Sequence, residues 1–224
     1  MSIHSDYAII GGLMATVAPN KNRRTATREA RRRQLIDATM KCIARKGLGN
    51  TSIGDVASEA GLSQGIVNLH FESKDNLLTE TLRTLANEYR ELFDRTLEKA
   101  GAHPADALRA LLEMDLKPKL LNRQKLAIWF AFWGEVKSRP TYRKICDEYD
   151  RYYDSVVETL CAEIIEEGGY TNITAAAAAE GLTCMTNGLW LSCLISPQDF
   201  DRDIAWGAIM SYLANVFPQH YENA

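Results

Sequence analysis

Apolar residues recur at three- and four-residue intervals along most of the chain, the spacing of helices packed on one face. The first clear stripe is Leu35, Ile36, Met40 and Ile43, inside a helix predicted from Thr27 to Lys46 and closed by Gly47. A short helix follows. Ser52 opens it, with Asp55 three residues on in a capping-box arrangement, and Val56, Ala57 and Ala60 give it an inner face of small residues. Gly61 and Leu62 form a tight turn, and Ser63 caps a second short helix over about 64–70, with Ile66 and Val67 pointing inward. The fourth helix, about 75–99, is long and carries Leu78, Leu82, Leu85, Tyr89, Leu92 and Thr96 on one stripe. Beyond Asn76 no strand pattern occurs. Pro104, Pro118, Pro140, Gly168-Gly169 and Pro197 divide the remainder into helices over about 104–117, 122–138, 141–167, 173–195 and 200–216. The expected fold is therefore all-α with about nine helices: a three-helix head over 27–74 and a helical body over 75–224. Residues 1–26 are expected to form a disordered basic arm, and Met14 is a candidate start.

Charge sharpens this division. Residues 1–78 carry eleven basic and seven acidic side chains, whereas 79–224 carry fifteen basic and twenty-two acidic. Only the head is suited to meet a polyanion. Composition adds exclusions. No apolar run approaches the roughly 18 residues of a bilayer span, so no membrane partner is expected. Five cysteines without a CxxC pair point to reduced thiols in the cytoplasm, and the four histidines are scattered. Neither a metal site nor a cofactor is expected. No G-x-S-x-G, P-loop, dinucleotide fingerprint or Cys–His pairing suggests an enzyme.

The segment 51–78, TSIGDVASEAGLSQGIVNLHFESKDNLL, has the construction of a helix-turn-helix. Small residues stand where two helices cross, Gly61 supplies the turn, and a hydroxyl precedes the second helix. That second helix is expected in the DNA major groove, its first turns toward base edges. The head resembles the TetR family of one-component transcriptional repressors through Thr51-Ser52, Asp55-Val56-Ala57, Ala60-Gly61-Leu62-Ser63, Gly65, Phe71, Ser73-Lys74 and Leu77-Leu78. The family usually carries Tyr where this chain has Asn68. Thr51 and Ser52 are expected to hold a phosphate with the free amides of the helix they open. Ser63, Gln64, Gly65 and Asn68 are expected to face the groove, with Gln64 and Asn68 as base readers. His70 is expected at a phosphate or at the head surface. Lys74, a cation in a helix first turn, is expected to bind phosphate.

Aromatic residues concentrate in the body: Trp129, Phe130, Phe132 and Trp133 on one helix, Tyr142, Tyr149, Tyr152 and Tyr153 on the next, and Trp190 further on. Acids such as Asp150 lie beside the tyrosines. Rings with a nearby carboxylate suit a quaternary ammonium ion through cation–π attraction. Trp129, Trp133, Tyr149, Asp150, Tyr152, Tyr153 and Trp190 are the expected ligand-binding set. IWFAFW (128–133), Tyr142-Arg143 and NGLWL (187–191) resemble the C-terminal domain of BetI-type repressors, which implies a choline-responsive regulator of glycine betaine synthesis. Where that group often has Asp, this chain has Asn187. An aromatic, lipid or drug-like effector stays open, as does a DNA-architectural protein that senses nothing. The last two helices, with Ala178, Gly181, Cys184 and Gly188, are expected to form a homodimer matched to a palindromic operator.

Overall fold

The computed structural model describes residues 21–222. Of the arm expected over 1–26, residues 1–20 and the Met14 start lie outside the described residues, whereas 21–26 are helical, so the first helix begins at Lys21 rather than Thr27. Among the described residues there are nine α-helices and no strand: α1 (Lys21–Lys46), α2 (Ile53–Glu59), α3 (Gln64–Phe71), α4 (Lys74–Ala100), α5 (Pro104–Asp115), α6 (Arg123–Trp133), α7 (Pro140–Gly168), α8 (Ala175–Ile195) and α9 (Arg202–Val216). None is long and apolar enough to cross a membrane.

Local chemistry sets the boundaries. At α2 the capping box is complete: the Asp55 amide donates to Ser52 Oγ (3.1 Å) and the Ser52 amide to Asp55 Oδ2 (3.0 Å). Gly61 turns the chain at φ +65°, a conformation open to glycine at little cost. Ser63 precedes α3 in extended backbone but makes no side-chain cap, in contrast with the expectation. Asn122 caps α6 through the Lys125 amide (2.9 Å). α6 ends at Trp133 rather than near 138, because the chain tightens into turns after Gly134, with Glu135 N donating to Phe132 O (3.0 Å).

Two cores result. α1, α2 and α3 enclose Leu35, Ile36, Cys42, Val56, Val67 and Phe71. The body core runs from α4 to α9 around Leu82, Phe93, Leu108, Leu111, Phe132 and Ile164. They meet on α4, where Leu77 belongs to the head core and its neighbour Leu78 to the body core. Ile43 and Leu48, at the end of α1 and just past it, are also buried with the body, and α1 packs against both α4 and α6. The head is thus fastened at two places.

Gly61→Ala forces a Cβ into the left-handed region and is expected to cost about 1–2 kcal/mol. Urea unfolding followed by circular dichroism measures this directly.

Candidate nucleic-acid interface and ligand cavity

α3 buries Val67 and Phe71 and turns Ser63, Gln64, Gly65 and Asn68 outward, all exposed. A Cβ placed on Gly65 would meet only Ser63 Oγ, at 3.8 Å, so nothing in the protein thickens the first turn. Leu69, which the sequence reading did not single out, is 72% exposed on the same helix. His70 is half-buried, and its imidazole is held below its usual pKa by desolvation, then by Arg28 and Arg32.

One expectation for this surface needs correction. Thr51 is 2% exposed, and its hydroxyl donates to the Gly47 carbonyl (2.9 Å), so it ties α1 to α2 instead of presenting a hydroxyl. The Ser52 hydroxyl donates to Asp55 Oδ2 (2.7 Å). Asp55, which also pairs with Lys46, is held well below the usual carboxylate range, first by the Lys46 hydrogen bond and then by Ser52. The Asp55 carboxylate thus lies at the amino end of α2, beside the exposed Ser52. Lys74 lies beside this junction, its Nζ donating to the Gly49 carbonyl (3.3 Å). Of the α1 arginines, Arg31 and Arg33 are exposed, whereas Arg32 pairs with Glu80 and stacks over Phe71 at 5.2 Å.

In the body, α4, α5, α6, α7 and α8 enclose a cavity of about 390 Å³. Six aromatic residues line it: Tyr89, Trp129, Trp133, Tyr149, Tyr153 and Trp190. Tyr89 stands at the centre, 6.4 Å from Trp129, 6.4 Å from Tyr153 and 6.0 Å from Trp190 between ring centroids. Trp129 and Trp133 also touch, at 6.0 Å. Five of the expected aromatic residues thus converge, and Asp150 joins them.

Tyr152 does not. One step along a helix rotates a side chain by about 100°, and here that step takes Tyr152 off the face on which Tyr153 meets the cavity. Tyr152 instead packs on Phe93 (5.8 Å), donates to Asp94 Oδ1 (2.7 Å) and lies under Arg90 at 4.1 Å. It fixes α7 to the outer side of α4.

The most deeply buried acid of the cavity was missed. Asp115, the last residue of α5, is 0% exposed and lines the cavity. Its carboxylate accepts hydrogen bonds from Tyr89 Oη (2.8 Å) and Tyr153 Oη (3.4 Å), while Trp190 Nε1 donates to its backbone carbonyl (3.0 Å). Burial pushes its carboxyl up to about 7 although both tyrosines pull the other way. A sequence clue existed: Leu108, Leu111 and Leu112 define a buried stripe whose next position is Asp115. Asp147, Asp150 and Asp154 add acid from α7, with Arg143 the basic residue in the lining. Solvent reaches Asp150, yet the surrounding walls, then Asp154 and Asp147, raise its carboxyl. Thr186, beside Tyr153, has a buried hydroxyl with no hydrogen bond of normal geometry. Among the described residues no group of three or more His, Cys, Asp or Glu is placed to hold a metal.

A helix-turn-helix head joined to an all-helical body with an internal cavity defines a transcriptional regulator of the one-component type. The chain belongs to the TetR family: residues 35–81 match the family of bacterial regulatory proteins of that name, and residues 104–218 match the BetI-type transcriptional repressor C-terminal domain. It is 33% identical over 192 residues to the HTH-type transcriptional regulator BetI of Paraburkholderia phymatum, covering 86% of this chain and 95% of that one. The BetI of Paraburkholderia xenovorans is 32% identical, with 83% and 93% covered. Among solved structures, a transcriptional regulator from Pseudomonas aeruginosa superposes with a TM-score of 0.77 at 27% identity, over 90% of this chain and 98% of that one. A regulator from Saccharomonospora viridis, solved in complex with choline, gives 0.73 at 25% identity, over 83% and 96%.

Asp115 makes stability depend on pH. The folded protein holds its proton up to about 7, whereas an unfolded aspartate releases it near 4, so between these values the unfolded state binds fewer protons. Stability without a bound effector is expected to fall as pH rises from 5 to 8, by about 3 kcal/mol at most from this group. Asp150 adds in the same direction. Thermal unfolding should show the slope, and Asp115→Asn should flatten it and stabilise the protein at pH 8.

Proposed function

We propose that this protein is a homodimeric cytoplasmic repressor, without catalytic activity, that leaves its operator when a quaternary ammonium effector, choline, fills the body cavity. The observation that carries this reading is a fully buried carboxylate among six aromatic residues. A trimethylammonium group has no N–H to donate, so rings and a counter-charge recognise it better than hydrogen-bond acceptors do. Asp115 supplies the counter-charge, Tyr89, Trp129, Trp133, Tyr153 and Trp190 the faces, and the Thr186 hydroxyl a polar partner for the choline alcohol. The BetI relatives and the choline complex of the Saccharomonospora viridis protein support it, and the role it implies is control of glycine betaine synthesis.

The head over 27–74 binds DNA through α3, with Gln64 and Asn68 at base edges and Ser63, His70, Lys74, Arg31 and Arg33 at the phosphate backbone. The body over 75–224 senses and dimerises. An effector pressing on Trp129 and Trp133 acts on α6, which packs against α1 of the head. Arg139, between α6 and α7, reaches Asp75 in the first turn of α4 (2.9 Å), next to Lys74. Only an effector that binds the two head orientations unequally shifts their balance.

Dimerisation is read from the outer faces of α8 and α9, where Leu191, Ile195 and Ile204 are 41%, 68% and 73% exposed. Cys184 and Gly188 lie on this outer surface. Ala178 is buried within the chain, and a Cβ on Gly181 would strike the Tyr212 hydroxyl, so both serve internal packing. Two such faces related by a twofold form an isologous interface that spaces two heads for a palindromic operator. Ile204→Glu is expected to give a monomer by light scattering and to abolish tight operator binding.

The central test is fluorescence anisotropy on DNA from upstream of the gene, at fixed salt, with and without choline. The expected outcome is sequence-specific binding that choline weakens. Choline affinity, by calorimetry, should fall by about tenfold per pH unit below about 7 as Asp115 takes up its proton. Asp115→Asn should lose at least about tenfold in choline affinity, some 1.4 kcal/mol, and retain DNA binding. Specific DNA binding indifferent to choline would overturn the effector and leave the regulator standing.

A further inference from the structure

Leu69 is the large apolar side chain of the head that the fold leaves uncovered, at 72% exposure, while Val67 and Phe71 on the same helix are buried at 1% and 3%. The other strongly exposed large apolar residues among those described lie far along the chain on α8 and α9. Leu69 follows Asn68 and stands one helical turn beyond Gly65, so Gln64–Asn68 and Gly65–Leu69 form two adjacent rows on the outward face of α3. Gly65 adds no side chain to its row, which leaves Leu69 as the projecting apolar group where the helix comes closest to a partner.

The partner at this face is DNA, because α3 is the second helix of the helix-turn-helix and α1 beside it is strongly basic. On the floor of the major groove the thymine C5-methyl is the apolar feature that distinguishes one base from another. We propose that Leu69 determines operator specificity by packing on the methyl group of a thymine in each half-site, next to the base contacted by Asn68. The inference rests on the head binding DNA through α3. It assigns Leu69 a base where Gln64 and Asn68 act by hydrogen bonding.

The test removes apolar groups from both partners. The operator is selected by the full-length protein from a random duplex pool, and each thymine is then replaced singly by deoxyuridine, which removes the methyl and keeps every hydrogen-bonding group. Anisotropy at fixed salt compares the wild-type protein with Leu69→Ala, whose exposed site leaves folding intact, as a thermal melt checks. The expected result is one thymine per half-site at which deoxyuridine weakens wild-type binding three- to tenfold and leaves Leu69→Ala unaffected. Leu69→Met should restore part of the sensitivity. Equal sensitivity of both proteins at every thymine would overturn the proposal, as would an operator with no thymine in the bound half-site. Failure of the wild type to select any sequence would instead overturn the DNA-binding reading beneath it.

Discussion

The arrangement depends on α4, which must satisfy two cores at once. Leu77 closes the head and Leu78 begins the body, so adjacent residues on one helix commit to separate apolar clusters. Further along, Leu82, Leu85 and Phe93 are buried in the body, and Tyr89 from the same helix projects into the cavity. A stiff rod of 27 residues therefore carries one wall of the body cavity and the first contact with the head on one backbone. Because packed interiors yield little to strain, a shift at Tyr89 is transmitted more readily than absorbed.

The second constraint is electrostatic. Placing an aspartate at 0% exposure costs free energy unless it is neutralised, and the protein meets that cost with two tyrosine hydroxyls and a retained proton. An empty cavity built this way is stabilised by acid and strained by base. A cation beside Asp115 would reverse the preference, because an opposite charge favours the ionised carboxylate. The same carboxylate thereby links cavity occupancy to the packing of α4, α5, α7 and α8, since Tyr89, Tyr153 and Trp190 all bond to Asp115.

The head was legible because its rules are local. A capping box needs Ser52 and Asp55 three residues apart, a left-handed turn needs Gly61, and periodicity separates Val67 and Phe71 from the outward residues. Thr51 was misread for the same reason: its type allows phosphate binding, but the Gly47 carbonyl that engages its hydroxyl is seen only in three dimensions. In the body, the rings of α6, α7 and α8 could be counted in advance. Tyr152 was assigned to the wrong side because neighbouring tyrosines were taken together, whereas the helix separates them by a quarter turn or more.

Short-range spacing and composition were enough for the helices of the described residues, the basic helix-turn-helix head and the acidic aromatic body, and the motifs of the head carried the resemblance to the family. Tertiary structure alone decided which rings meet. It placed Tyr89 of α4 and Asp115 of α5 against Tyr153 and Trp190, residues separated by tens of positions along the chain. No local pattern records such a convergence, because the fold chooses which buried stripe faces which. For the same reason only the structure distinguished the buried Asp115 from the many acids that face water.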